Sequence, residues 1–238
     1  MNKEEFLKHL DELNISLAEK QVNQLETYAN FLLSYNEHTN LTAIKKKDDV
    51  YLKHFYDSLT LVKYLNLNDY ESLVDIGTGA GFPGVVLKIV YPHLKVTLID
   101  SNNKKIKFLD ELIKLLEVKN IETINVRSED YARNNKDSYD IVTARAVTSL
   151  PVLSELCLPL VKIGGYFIPL KADATEEISL AKNIIKELNG EIESINEFSL
   201  PIENSKRTII KIKKVDKTPD KYPRTYDKMK KALKKNIK

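Results

Sequence analysis

The chain has 238 residues, of which 42% are hydrophobic and 30% charged, with one cysteine, four histidines and a formal net charge of +3. That length suits one large domain, or a domain with an appendage, and no apolar run approaches the roughly 18 residues of a membrane span. The single thiol, Cys157, excludes an internal disulfide and a cysteine-built zinc cluster, so a cytoplasmic, metal-free chain with no membrane partner is expected.

Charge is unevenly placed. Between Lys206 and Lys238 there are 14 Lys or Arg against 3 Asp, a net of +11, which leaves −8 for the rest. An acidic body with a basic end predicts a polyanionic partner, nucleic acid before membrane, because no apolar anchor accompanies the charge. A merely solvated tail in a lysine-rich sequence is the plain alternative.

Residues 1–66 read as helices. Ser16-Leu-Ala-Glu19 has the spacing of a capping box, and Ala18, Val22, Leu25, Ala29 and Leu32 follow at helical period. A second helix is predicted from Asp49, with Leu52, Phe55, Leu59, Val62 and Leu65 inward. From Glu71 the period changes. Ser72–Ile76 is a short apolar strand running into a glycine loop, Pro83 opens a helix that Pro92 stops, and Lys95–Asp100 is a second strand. Ser101 is expected to cap the helix carrying Ile106, Leu109, Leu112, Ile113 and Leu116. Strands are predicted near Ile121–Val126, Tyr139–Thr143 and Gly165–Leu170, with a helix over Leu150–Val161. Thr175–Leu188 is a helix ended by Gly190, and strands at Glu191–Phe198 and Arg207–Val215 close the set. Strands alternating with helices predict a parallel sheet with right-handed crossovers and an antiparallel pair at its end. The expected division is a helical cap over 1–66, a binding domain over 67–215 and a basic tail over 216–238.

The most informative stretch is Val74-Asp-Ile-Gly-Thr-Gly-Ala-Gly-Phe-Pro-Gly84. Gly77, Gly79 and Gly81 let a backbone turn sharply and approach a ligand at the carboxyl edge of the sheet. Asp100, ending the second strand, can accept from both hydroxyls of a ribose, so loop and acid together indicate an adenosine-type cofactor. A dinucleotide loop wants glycine or alanine at its sixth position, where this chain has Phe82 followed by Pro83. Asp75 would oppose a pyrophosphate but suits a cationic amino group. S-adenosylmethionine, with an ammonium, a sulfonium and no phosphate, fits better than a nicotinamide dinucleotide.

These features resemble the class I methyltransferases, and more narrowly the glucose-inhibited division protein B family. The likeness lies in Asn40-Leu-Thr-Ala43, His54-Phe-Tyr-Asp-Ser-Leu59, Asp75–Gly84, Thr143-Ala-Arg-Ala146 and Leu153–Leu160. It implies an α/β, Rossmann-like, mostly parallel seven-stranded sheet with helices on both faces and an N-terminal helical cap. It implies an enzyme that methylates guanine N7 in 16S ribosomal RNA at the family's position 527. The substrate would be that RNA, the small ribosomal subunit or its assembly intermediate, met by a monomer. By similarity, cofactor contacts fall on Gly77, Phe82, Ser128, Glu129 and Arg145, beside Gly79 and Asp100 read from the loop. Each has a plainer reading: Phe82 as packing beneath a helix start, Ser128-Glu129 as an ordinary helix start, Arg145 in a salt bridge. Lys171 at the same rim, and Arg224 and Lys228 in the tail, are the RNA candidates. His38 and His54 read as surface or capping histidines, and Cys157 as core.

Absences narrow the chemistry. Cytosine C5 methylation needs a cysteine near the active loop, and exocyclic amine methylation commonly uses an Asn/Asp-Pro-Pro-aromatic clamp; neither pattern is here. Guanine N7 carries an in-plane lone pair and no proton, so no catalytic acid or base is nominated and transfer depends on in-line orientation. The alternatives are a class I methyltransferase acting on another RNA or a small molecule, and a non-catalytic RNA-binding ribosome assembly factor.

Overall fold

The apolar runs between glycine, proline and charged breaks pair into one sheet in a computed structural model that describes residues 1–236. Its strands are β1 (Ser72–Ile76), β2 (Lys95–Asp100), β3 (Ile121–Asn125), β4 (Tyr139–Arg145), β5 (Val161–Lys171), β6 (Gly190–Ser199) and β7 (Lys206–Lys214). They lie in the order β3-β2-β1-β4-β5-β7-β6, parallel from β3 to β5. β7 enters antiparallel to both β5 and β6. The order reverses between β1 and β4, which opens a crevice at their carboxyl ends, where open α/β sheets bind ligands.

The described residues form ten α-helical segments. They are α1 (Lys3–His9), α2 (Glu19–Thr39), α3 (Lys47–Asp49), α4 (Asp57–Leu59), α5 (Gly84–Val90), α6 (Asn103–Leu116), α7 (Ser128–Asn134), α8 (Leu150–Cys157), α9 (Thr175–Glu187) and α10 (Tyr226–Asn236). Between α3 and α4 the chain makes a π-helical turn over Val50–Tyr56. Among the described residues no helix is long and apolar enough to cross a membrane.

Three caps differ from expectation. Helix α2 starts at Ala18, not Ser16: Gln21 Oε1 accepts the Ala18 amide at 2.8 Å, the half of a capping box that alanine permits. Asn102, not Ser101, caps α6, taking the Lys104 amide on its side chain at 2.9 Å. After α9 the left-handed residue is Asn189 (φ 56°), and Gly190 already belongs to β6.

Two hydrophobic cores cover the two faces of the sheet. On one face α1, α2 and the 50–67 segment pack with α5 and α6, so Phe6, Tyr28, Phe55 and Leu59 share a core with Val85, Leu98 and Phe108. The cap and the sheet are therefore welded, not hinged. On the other face α7, α8, α9 and α10 cover Val74, Ile99, Val142 and Phe167, with Cys157 fully buried among them.

The basic tail departs most from the sequence reading. The Tyr222 hydroxyl donates to Glu187 at 2.5 Å, and Met229 on α10 is buried. Arg224 forms a fork on Glu155 of α8, with Nη2 to Oε2 at 2.6 Å and Nε to Oε1 at 2.9 Å. Glu155 is 1% exposed, so its charge requires that partner. Upstream, the buried ammonium of Lys214 donates to the Leu158 carbonyl at 2.8 Å and to the Thr218 hydroxyl. Residues 216–234 are docked structure with an exposed lysine face, not an appendage; Lys238 lies outside the described residues.

Candidate active site

The glycine loop is built from inside the sheet. Asp75 on β1 is fully buried, and its Oδ2 accepts the Thr78 hydroxyl at 2.7 Å and the Gly84 amide at 2.9 Å. One carboxylate oxygen thus closes the turn and starts α5. The other, Oδ1, is buried without a donor among the described residues. Burial pushes the Asp75 carboxyl up to about 7. The folded chain holds that proton more tightly than the unfolded one. Asp75 therefore contributes stability that is complete below its ordinary 3.8 and is lost as pH rises through about 7.

Gly77 and Gly79 serve different ends. Both take left-handed backbone, at φ 66° and 62°. A Cβ at Gly77 would lie 2.6 Å from Val147 Cγ2, so that glycine admits the loop after β4. A Cβ at Gly79 would meet nothing nearer than a carbonyl at 3.9 Å, which leaves the space above it open to a ligand. The Gly79 amide donates to Asp100 Oδ2 at 3.0 Å, and Asp100 Oδ1 takes the Asn102 amide at 2.8 Å. Lys105 Nζ also approaches Oδ2, at 3.4 Å, so Oδ1 keeps the clearer acceptor capacity for a hydroxyl. Asn125 braces β3 against this point by donating to the Asp100 carbonyl at 2.9 Å. Beyond it a groove lies over Ser101 and Asn125–Arg127, just before Ser128 and Glu129, which open α7.

Phe82 is not free to cover a ligand with its ring. Tyr28 stacks on it at 5.2 Å and 8°, and His54 at 4.1 Å and 13°. The Tyr28 hydroxyl also donates to the Ala80 carbonyl inside the loop. Two cap residues therefore clamp the glycine loop.

Arg145, at the end of β4, gathers the cap. Nη1 donates to the Lys53 carbonyl at 2.8 Å and to Asp57 Oδ2 at 3.0 Å, Nη2 donates to His54 Nδ1 at 3.0 Å, and the guanidinium sits 5.2 Å from the Phe82 ring centre. The salt-bridge reading of Arg145 is thus realised, on a carboxylate that faces the crevice. Because arginine can only donate, His54 Nδ1 is an acceptor and its Nε2–H points to the Thr42 hydroxyl at 3.0 Å. Burial and the Arg145 charge pull His54 down to about 3, so it is neutral at working pH. Thr42 is fixed in turn by Asn36, whose side chain brackets its amide (3.0 Å) and carbonyl (2.9 Å). Asp57 Oδ1 takes a second guanidinium, Arg207 Nε at 2.9 Å. Asp57 is 5% exposed and ties α4, β4 and β7 together.

These groups line a cleft of about 450 Å³ beside the glycine loop, with Lys53, Arg145, Lys171 and Arg207 on its walls. Lys171 donates to the Thr148 carbonyl at 2.9 Å and pairs with Glu177 at 2.7 Å. Gly77, Gly79, Phe82, Asp100, Arg145 and Lys171 therefore converge on one edge, with Ser128 and Glu129 at its far side. Arg224 forks on Glu155 with its side chain 32% exposed, and Lys228 is exposed on α10. The sequence reading missed Tyr28, Thr42, Asp57 and Arg207, and assigned His54 to the surface. The available sign was that Thr42 and Asp57 lie in two stretches that carry the family likeness, Asn40–Ala43 and His54–Leu59.

The model of the family described as GidB, rRNA small subunit methyltransferase G, matches residues 21–209. This chain belongs to that family. The ribosomal RNA small subunit methyltransferase G of Bacillus subtilis strain 168 is 50% identical over 227 residues, covering 94% of this chain and 95% of the relative. The same-named protein of Oceanobacillus iheyensis is 49% identical with the same coverage. Among solved structures, a 16S rRNA (adenine(1408)-N(1))-methyltransferase from Catenulisporales acidiphilia aligns with a TM-score of 0.53 at 11% identity, over 61% of this chain and 86% of that one. A SAM-dependent methyltransferase from Aquifex aeolicus aligns at 0.50 with 18% identity, over 70% and 93%. At such identities the structural likeness concerns the fold alone: the class I methyltransferase sheet.

Proposed function

We propose that this methyltransferase uses S-adenosylmethionine to methylate N7 of a guanine in small-subunit (16S) ribosomal RNA, at the position the family numbers 527. The observation that carries the reading is the join between Asp100 and the Gly79 amide, an acceptor suited to a ribose and an open glycine turn near a cleft lined by four cations and three carboxylates. Family membership supplies the substrate class. We place the activity in the cytoplasm, in a monomer meeting free RNA, the small subunit or its assembly intermediate.

Gly79 admits the ligand backbone, Asp100 accepts the ribose hydroxyls, and the buried Asp75 oxygen offers charge balance to a cationic ligand. Ser128 and Glu129, opening α7, border the groove that would take the adenine. Arg145, held at three points by the cap, carries positive charge to where RNA enters. When bound, the cofactor supplies an electrophilic methyl: the N7 lone pair forms the new bond, the C–S pair stays on sulfur, and no proton is released. Nothing in the cleft need act as a base, and neutral His54 is committed to Arg145. The decisive experiment is incubation with methyl-labelled S-adenosylmethionine and 16S ribosomal RNA, followed by chain scission at N7-methylated guanine. Label absent from N7, or placed on another base, overturns the reading.

Asp100→Ala is expected to weaken S-adenosylmethionine binding by ~1.5–3 kcal/mol, as loss of a charge-assisted hydrogen bond would. Titration calorimetry on folded variant checks it, and unchanged affinity would remove Asp100 from the site.

The pH dependence separates binding from transfer. With His54 neutral and no proton on N7, single-turnover transfer at saturating cofactor and RNA is expected to be flat between about 6.5 and 8.5. Cofactor affinity behaves differently. Asp75 gains its charge as pH rises through about 7, so affinity for a cationic ligand should rise over that interval and stay level in Asp75→Asn. A steep one-proton limb in the transfer rate that survives in Asp75→Asn would defeat the base-free mechanism.

A further inference from the structure

Three carboxylates line the cleft, and two are fully spent. Asp57 gives one oxygen to Arg145 and the other to Arg207. Asp173 gives Oδ1 to the amide and hydroxyl of Thr175 and Oδ2 to Lys206. Glu177, in the first turn of α9, differs. Its Oε2 accepts the Leu150 amide at 2.6 Å and pairs with Lys171 at 2.7 Å, while Oε1 receives no donor among the described residues. Lys171 has three N–H bonds; one is directed to the Thr148 carbonyl, and Nζ lies 2.7 Å from Glu177 Oε2. The ion pair therefore presents, side by side and half-buried, one unused acceptor and one unused donor.

We propose that Lys171 and Glu177 read the Watson–Crick edge of the target guanine, Oε1 accepting N1–H and Nζ donating to O6. The inference rests on the guanine-N7 reading above and adds the residues that select the base. Guanine offers a donor at N1 next to an acceptor at O6. Adenine reverses both: it would set a lone pair against the carboxylate and an amino group against the ammonium. Rejection thus comes from unpaired and opposed groups, the strongest discrimination a pocket can build.

Strand order fits this orientation. The glycine loop follows β1, Arg145 ends β4 and Lys171 ends β5, and these three strands are neighbours. The cleft that holds Lys171 and Glu177 is also lined by His54, which stacks on Phe82 of the glycine loop, so a purine in it can turn N7 toward that loop and N1 toward β5. The pair also favours the reaction. As the N7 lone pair bonds the methyl carbon and the C–S electrons return to sulfur, positive charge passes to the purine and N1–H becomes a stronger donor. A carboxylate there binds the transition state more tightly than the ground state.

The test uses the full-length protein and small-subunit ribosomal RNA carrying guanine, inosine or 2,6-diaminopurine at the target, in single-turnover transfer. Inosine keeps N1–H and O6; diaminopurine keeps N7 but has adenine's hydrogen-bonding pattern at both. The parent protein should use inosine within about threefold of guanine and diaminopurine at least ~100-fold more slowly. Glu177→Gln keeps an acceptor for the Leu150 amide and can donate to diaminopurine N1. It should narrow the guanine-to-diaminopurine ratio at least ~10-fold, with cofactor affinity unchanged. Lys171→Met should narrow the same ratio. If both variants fold and keep the parent's ratio, or the parent uses diaminopurine as readily as guanine, this pair does not select the base. A parent protein that places no methyl on guanine N7 overturns the proposed function itself, and this inference with it.

Discussion

A chain ending at Asp216 is expected to unfold more easily than the full chain by about 3–5 kcal/mol, the cost of leaving a buried charge without its partner. The truncation strips Arg224 from Glu155, removes the Thr218 hydroxyl from the Lys214 ammonium and uncovers the surface of α8 beneath Met229. For a chain of this size the melting temperature should fall by roughly 6–20 °C, read by circular dichroism. A shift below about 2 °C would show that the tail is dispensable to the fold. Loss of RNA binding in such a truncation would consequently say little about lysines. Substituting Lys228, Lys231 and Lys234 by Gln isolates their charge, because all three are exposed on α10. That triple variant should keep its melting temperature while the log–log salt dependence of RNA affinity becomes shallower by up to ~0.7 per lost phosphate contact. An unchanged slope would move RNA recognition to the cleft rim.

The second large effect is expected at Asp57. Asp57→Asn places a carboxamide between two guanidiniums, where one oxygen must replace two and an N–H faces a cation. The loss should be ~3 kcal/mol, at the low end for a broken buried pair because Arg145 and Arg207 keep some water. Their side chains are 14% and 19% exposed, against 7% for Asp57. Urea unfolding measures the loss. RNA methylation should fall with it, since Arg145 then has only His54 and the Lys53 carbonyl to orient it. A variant as stable as the parent would mean that packing alone joins the cap to the sheet.

What the sequence made legible was local. Strand β1, the glycine loop and Asp100 lie within 29 positions of one another, and their chemistry depends on backbone geometry that glycine and an end-of-strand acid announce by themselves. Period alone located the seven strands and most helices. Pairings between distant positions were not legible. Arg224 and Glu155 are 69 residues apart, and Arg207 and Asp57 are 150 apart. A lysine-rich end has the same composition whether it is solvated or docked through one arginine, one tyrosine and one methionine. Phe82 shows the same limit from the other side: its position in the loop was evident, yet which partner would cover its ring depended on how the first 60 residues fold back.

The stacking of Phe82 between Tyr28 and His54 also bears on how this enzyme could be recombined with others. A crossover placed between the cap and β1 would separate both stacking partners from the ring, and the Tyr28 hydroxyl from the Ala80 carbonyl. A chimera joined there would inherit a glycine loop whose support had been left in the other parent. A crossover at Asn135–Ser138 keeps that clamp whole but divides Asp57 from Arg145 and Arg207, so both parents must supply matching partners there. For donors of this architecture, the cap and the first two strands form the smallest exchangeable unit.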